Sequence, residues 1–162
     1  RPHTKSVQII FNMLRLKPAE EFFNLAKDKG VAIIVRVPLA SGLLTGKMNS
    51  NSTFPENDHR NYNINGDAFD VGETFSGVDF NTALKVVDEL KSITPEGFTL
   101  SQLALKWILM HDAVSVIIPG AKNSDQALSN ISASSLPDIS NLMKQIENIY
   151  ATYLKDDIHP RW

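Results

Sequence analysis

One short segment of the chain combines the residue types that bind a phosphate group. Residues 119–122 (Pro-Gly-Ala-Lys) lie between an apolar run that predicts a strand and a helix that we expect to start near Ser124 or Asp125. Glycine lets an anion approach the backbone, a helix start offers unpaired N–H groups, and lysine adds a full positive charge. These residues therefore indicate a phosphate site, but a strand–turn–helix corner with a surface lysine fits the spacing about as well.

A second segment, residues 38–47, has the same character. It contains two glycines and two hydroxyl side chains, and it ends at Lys47, which is long enough to reach a pyrophosphate. The alternative is a tight turn with an incidental lysine. Arg36, just before this segment, lies inside an apolar run, where an unpaired guanidinium is costly. The sequence leaves a structural ion pair and a ligand-facing role equally open for Arg36.

Strands and helices in a fixed order must position these segments. Apolar, β-branched runs at residues 7–14, 31–38 and 114–118 predict three strands, and each is followed by a helical pattern. A chain of this α/β order needs right-handed crossovers and a parallel sheet, with ligands bound beyond the carboxyl ends of the strands. The two segments above follow the second and third strands, and a third strand tip begins at Asn12.

Helical patterns separate these strands. The first follows Pro18 and ends before Gly30, with acidic residues early and lysines late, as the helix dipole favours. We expect its apolar stripe to consist of Phe22, Leu25 and Ala26. Asp79 is the predicted N-cap of a second helix, and Thr99 has the capping-box spacing for a third. A longer helix is predicted after Pro137.

The chain is the right size for one hydrophobic core and too short for two. Periodicity disappears between about residues 47 and 78, which predicts a long loop with a short helix, and such loops are usually functional or mobile. Three parallel strands are too few for an open sheet covered on both faces, while a complete eightfold β/α barrel needs roughly 250 residues. We therefore expect residues 1–162 to form a single partial domain, the last part of something larger.

Composition excludes several classes of protein. Sixteen basic and 18 acidic residues give a net charge of −2, which argues against nucleic-acid binding. No apolar run approaches the roughly 20 residues that cross a bilayer. The absence of cysteine rules out thiolate catalysis and Cys-ligated zinc, and the scattered histidines predict no metal site. Residues 1–6 lead into no signal-like stretch, so we expect a cytoplasmic protein.

Three groups of residues, taken together, resemble the aldo-keto reductase family. They are residues 7–14, residues 37–47, and residues 118–122 with Gln126 and Asn130. They are similar to the ends of the sixth, seventh and eighth strands of that family, in order and at suitable separation, and they cover essentially the whole chain. The resemblance implies the C-terminal part, about strands 6 to 8 with helices, of a (β/α)8 TIM barrel. It also implies NADPH bound without a Rossmann domain, and reduction of aldehydes or ketones by hydride transfer.

The resemblance also implies a set of cofactor-binding residues. Gln8 would lie against the nicotinamide carboxamide, and Arg36 stands where an aromatic side chain often stacks on the ring, although a guanidinium plane also stacks. The pyrophosphate would be lined by Val37, Pro38, Leu39, Ser41 and Lys47, with Arg60 folding over it from the long loop. The 2′-phosphate and adenosine would be held by Gly120, Ala121, Lys122, Gln126, Ser129 and Asn130. A lysine suits a dianionic 2′-phosphate better than a ribose hydroxyl, so NADP is favoured over NAD.

The catalytic Asp, Tyr, Lys and His of that family come from the first half of its barrel, so we assign no catalytic residue here. The isolated chain is expected to be inactive, with a small-molecule carbonyl as substrate of the intact protein. One alternative is a non-catalytic nucleotide-binding regulatory module of the same fold. Another is an unrelated α/β phosphate-binding fragment, supported by residues 120–122 alone. The two open strand edges and the apolar inner face of a half barrel also predict self-association or partial disorder.

Overall fold

A computed structural model of the chain describes residues 3–161; Arg1 and Pro2 of the expected basic start, and Trp162 at the end of the expected domain, lie outside the described residues. Its three strands, β1 (Ser6–Ile10), β2 (Ala32–Arg36) and β3 (Val114–Ile117), form one parallel sheet in the order β1-β2-β3. The predicted α/β class and parallel pairing are confirmed. Each strand is shorter than its apolar run, because the chain turns as soon as it leaves the sheet.

The connection from β1 to β2 contains two short helices, α1 (Lys17–Glu21) and α2 (Phe23–Asp28). The prediction of one continuous helix is wrong, because the helix breaks at Phe22. Of the predicted stripe, Ala26 is buried and Phe22 is partly buried against the core. Leu25, by contrast, is 50% exposed, and Phe23 is buried in its place. The break lets the Phe23 ring meet the buried Phe11 ring edge-on, with 4.7 Å between centroids.

The segment after β2 is irregular for most of its length. It begins with a 3₁₀ turn (Ala40–Thr45) and contains the short helix α3 (His59–Tyr62) and two further 3₁₀ turns, Val71–Glu73 and Phe75–Gly77. We refer to residues 47–78 as the long loop. Its backbone is held by the side-chain caps of Asp58 and Asp70 and by contacts with residues distant in sequence.

Two regular helices lead from the long loop to β3: α4 (Phe80–Ser92) and α5 (Leu100–Leu109). Both predicted caps are confirmed. Asp79 accepts a hydrogen bond from the backbone N–H of Thr82 at 2.9 Å. Thr99 and Gln102 form the reciprocal capping box, at 3.2 and 2.9 Å. These caps fix where the helices begin and therefore the approach of the chain to β3.

The last part of the chain contains α6 (Ser124–Ser132), a 3₁₀ turn (Ala133–Ser135), α7 (Ser140–Tyr153), α8 (Lys155–Ile158) and a final turn (His159–Arg161). The predicted helix start near Ser124 is confirmed, and Asn123 caps it by accepting a hydrogen bond from the N–H of Gln126 at 2.9 Å. None of the helices in the described part of the chain is long and apolar enough to cross a membrane.

The hydrophobic core lies between one face of the sheet and the helices. Its largest fully buried side chains are Trp107, Phe11, Phe75, Met13, Leu14, Ile33, Leu43, Leu44, Leu90, Leu103, Leu105 and Ile108. The prediction that Val114–Ile118 is a buried strand is wrong. Val116 and Ile118 are 44% and 47% exposed, and β3 is an edge strand that pairs only with β2 within residues 3–161.

Candidate functional site

A cleft of about 1130 Å³ opens beyond the carboxyl ends of β2 and β3, and most of the predicted binding residues line it. They are Val37, Pro38, Leu39, Ser41, Lys47, Arg60, Gly120, Ala121, Lys122, Gln126, Ser129 and Asn130. Gln8 and Arg36 do not line the cleft. Gln8 is exposed on β1, on the face opposite the buried Ile9. The carboxyl ends of parallel strands meet at one edge of a sheet, which is why segments far apart in sequence converge here.

The turn after β2 forms one wall of the cleft, and its backbone is strained. Val37, Ala40 and Ser41 have φ angles of 52°, 48° and 55°, in the left-handed region that non-glycine residues rarely adopt. Each such residue costs about 1–3 kcal/mol, which the surrounding structure must offset. Gly42 follows with φ at 96°, where a side chain would also lie 3.0 Å from the end of Met48. Within this strained turn, residues 37–39 and 41–42 line the cleft, whereas Ala40 is buried beneath them.

Arg36 is engaged in an ion pair with Glu73 of the long loop. Both of its terminal nitrogens donate to the same carboxylate oxygen, and the two side chains are each about two-thirds buried or more. Of the two alternatives that the sequence left open, the structure therefore contains the ion pair. Glu73 itself lines the cleft. Because the guanidinium neutralises this carboxylate, an anion entering the cleft meets less repulsion than an unpaired glutamate would cause.

The turn between β3 and α6 forms the opposite wall. The backbone N–H of Lys122 donates to Gln126 Oε1 at 2.8 Å, and Asn130 Nδ2 donates to the carbonyl of Gly120 at 3.2 Å. A methyl group added at Gly120 would meet nothing within 4 Å. Packing therefore does not require glycine at position 120, which lines the cleft.

Arg60 reaches the cleft from the long loop, but its guanidinium is paired with the carboxylate of Asp58. Its side chain forms two hydrogen bonds with Asp58, at 2.9 and 2.6 Å, and its guanidinium carbon lies 4.6 Å from the centroid of the Phe54 ring. The hydrogen bond from Arg60 holds the pKa of Asp58 well below its usual range. By contrast, Lys47 and Lys122 form no ion pair among residues 3–161. Free positive charge in the cleft therefore comes from these two lysines.

Two cleft residues that could bind or react with a ligand, His59 and Glu73, were not predicted from the sequence. His59 Nε2 lies 3.4 Å from Ser41 Oγ, and Glu73 pairs with Arg36. Both belong to the long loop, whose sequence has no periodicity that would orient a side chain. The only sequence signal for a functional His59 is that residues 56–60 are all polar.

The tyrosines of the described chain lie outside the cleft. Tyr150, on α7, is buried against His159, with its hydroxyl 3.0 Å from Nδ1, and His159 Nε2 lies 3.1 Å from Glu20 Oε2. Burial raises the pKa of Tyr150 to about 12. Such a phenol is a weak proton donor, and this Tyr–His–Glu group joins helices α1 and α7 and not the cleft walls.

Comparisons with known proteins agree with this architecture. Residues 3–151 match the family model described as the aldo/keto reductase family. A probable voltage-gated potassium channel subunit beta of Arabidopsis thaliana is 34% identical over 129 residues, which is 76% of this chain and 36% of that protein. Aldo-keto reductase YhdN of Bacillus subtilis is 28% identical over 161 residues, 97% of this chain and 45% of that protein.

A solved structure shows the same fold. The glycerol dehydrogenase AKR11B4 from Gluconobacter oxydans superposes with a TM-score of 0.73 at 23% identity, covering 92% of this chain and 43% of that one. The chain thus spans less than half the length of these relatives. The match excludes the alternative of an unrelated phosphate-binding fragment. On the family model and these likenesses, the chain belongs to the aldo/keto reductase family.

Proposed function

We propose that this chain holds NADP(H) in the cleft beyond β2 and β3, as the cofactor-binding C-terminal part of an NADPH-dependent reductase of aldehydes or ketones. In this proposal β1, β2 and β3 correspond to about strands 6 to 8 of a (β/α)8 barrel. The observation that carries the proposal is the convergence of 12 expected cofactor residues on one cleft. Membership of the family supports the reaction class.

The charges of the cleft fit a dinucleotide that carries several phosphates. Lys47 lies on the wall formed by the turn after β2, and Lys122 on the wall formed by the turn before α6. Both side chains are free of ion pairs within residues 3–161, so each can meet a phosphate without breaking an existing contact. In our proposal Lys47 binds the pyrophosphate, and Lys122 with residues 120–121 binds the 2′-phosphate. Bound NADPH supplies the hydride for carbonyl reduction.

The proposal divides the chemistry between two parts of a barrel. This chain binds and orients the dinucleotide, while the proton for the carbonyl oxygen comes, as the family resemblance implies, from a tyrosine in the first half of the barrel. None of the tyrosines among the described residues lies in the cleft. We therefore expect the 162-residue chain to bind NADPH without reducing aldehydes. Saturable, aldehyde-dependent loss of NADPH absorbance with the purified chain would contradict this division.

The decisive experiment compares NADPH with NADH. Lys122→Ala should weaken NADPH binding about tenfold or more, because a charge-assisted contact to phosphate is lost, and should leave NADH binding nearly unchanged. Fluorescence titration of both cofactors gives the two affinities. Lys85→Ala, on the exposed side of α4, is the matched control and should bind both cofactors as the wild type does. Equal loss for NADPH and NADH would remove the assigned role of Lys122.

A further inference from the structure

One buried side chain, Asn12, joins the turn after β2 to the long loop from beneath the cleft. Asn12 follows β1 and is completely buried, at 0% exposure. Its side-chain nitrogen donates to the carbonyl oxygen of Val37 at 2.9 Å and to Ser76 Oγ at 2.8 Å. Its side-chain oxygen accepts from the N–H of Leu14 at 2.9 Å. The Asn12 amide therefore joins the end of β1 to the turn after β2 and to the long loop.

Both partners of the Asn12 amide nitrogen belong to strained backbone. Val37 has φ at 52° and Ser76 has φ at 59°, and Phe75 beside it has φ at 51°. A β-branched residue such as valine is a genuine outlier in this region. Strain of this kind persists only where the surrounding contacts over-determine the conformation. The two hydrogen bonds from Asn12 are contacts of that kind.

Ser41 completes the connection on the cleft side. Its hydroxyl donates to the carbonyl of Glu73 at 3.1 Å and accepts from the N–H of Phe75 at 3.1 Å. Val37, Ser41 and Glu73 line the cleft, whereas Asn12 does not touch it. The turn after β2 and residues 73–76 of the long loop are thus joined twice, once at the cleft surface and once below it.

We propose that Asn12 is a positioning residue for the cofactor cleft, which holds the turn of residues 37–41 and loop residues 73–76 at the separation that the dinucleotide requires. This inference rests on the proposed function. Asparagine suits the position because it offers two N–H donors and an acceptor in a short side chain. Aspartate has almost the same shape, but its ionised form only accepts hydrogen bonds and would face the Val37 carbonyl with a negative charge.

The test uses Asn12→Asp and isothermal titration calorimetry with NADP⁺. At about pH 7.5 we expect the variant to bind NADP⁺ about tenfold or more weakly than the wild type, because a buried carbonyl loses its donor. Burial raises the pKa of a carboxyl group. At about pH 5.5 the protonated carboxyl group of the variant regains one O–H donor, and the ratio of wild-type to variant affinity should fall. Comparing both proteins at each pH cancels the titration of NADP⁺ itself.

Tyr150→Phe is the matched control. It removes a buried hydroxyl that lies 3.0 Å from His159 and outside the cleft, so it should lower thermal stability without changing NADP⁺ affinity. Wild-type affinity of Asn12→Asp at the higher pH, or a deficit that does not shrink at the lower pH, would overturn the positioning role.

Failure of the wild-type chain to bind NADP⁺ would overturn the proposed function, and hydrogen exchange then decides the role of Asn12. Faster amide exchange at residues 37–41 and 73–76 in Asn12→Asp than in Tyr150→Phe supports the positioning role. Equal exchange in the two variants rejects it.

Discussion

Single residues in this molecule show how burial sets protonation. His111 lies just after α5 among the rings of Phe11, Phe23 and Trp107, with centroid distances of 4.9, 6.0 and 4.6 Å. Its Nδ1 lies 3.0 Å from the Trp107 carbonyl, which calls for a proton on that nitrogen. Burial lowers the pKa of His111 from its ordinary 6.5, because charging the imidazole in this aromatic cluster costs solvation. The folded state therefore favours the neutral form of His111.

The lowered pKa of His111 predicts that the free energy of unfolding decreases in acid. Above pH 6.5 the histidine is neutral in both states, whereas below it the unfolded chain binds a proton that the folded chain excludes. The free energy of unfolding should then fall by up to about 1.4 kcal/mol per pH unit. Urea unfolding of the wild type and His111→Phe at about pH 7.5 and 5.5 measures this contribution, with His3→Gln as the exposed control. An identical pH dependence in wild type and His111→Phe would assign the effect to another group.

At the scale of elements, the long loop depends on contacts with the strand ends. The Arg15 side chain packs against the backbone of Gly72 in the turn Val71–Glu73, and a methyl group at Gly72 would lie 1.7 Å from Arg15 Nη1. Arg15 is 8% exposed, and Asp70 and Glu73 offset part of its burial cost. Glycine at position 72 is therefore required by the buried guanidinium.

Gly72→Ala should consequently displace either Arg15 or the loop. We expect the free energy of unfolding to fall by about 1–3 kcal/mol, as for other overpacked interior positions. Gly120→Ala is the matched control, since its added methyl group meets nothing within 4 Å, and it should leave the unfolding midpoint in urea unchanged. Equal midpoints for Gly72→Ala and the wild type would mean that the loop accommodates the methyl group without loss of stability, and would contradict this prediction.

Some contacts between elements could be predicted from the sequence, and others could not. The caps at Asp79 and Thr99 were predictable because each depends on residues three positions apart. The convergence of residues 38–47 and 119–122 was predictable because strand order alone places them at one edge. The Arg36–Glu73 pair and the Asn12–Ser76 bond span 37 and 64 positions, and each ends in a segment without periodicity. Such contacts exist only once the loop has folded.

The whole molecule, as described by residues 3–161, has a sheet with two open edges. At the β3 edge, Val116 and Ile118 are exposed, and a groove of about 440 Å³ runs between α5, β3 and α6. Its lining includes Leu105, Leu109 and Ile131, and the last of these is 67% exposed. An uncovered edge strand beside apolar surface is a template for association with another chain.

We therefore propose that the chain self-associates through the β3 edge, in a concentration-dependent way. Val116→Lys places a charge on this edge and should shift the chain towards monomer, because a charged side chain opposes burial of position 116 against a second copy. Sedimentation velocity over a wide concentration range measures the shift. Leu25→Lys is the matched control, since Leu25 is also about half exposed, at 50%, but belongs to α2 and not to β3. A wild-type chain that stays monomeric throughout, or equal dissociation of both variants, would place no interface at β3.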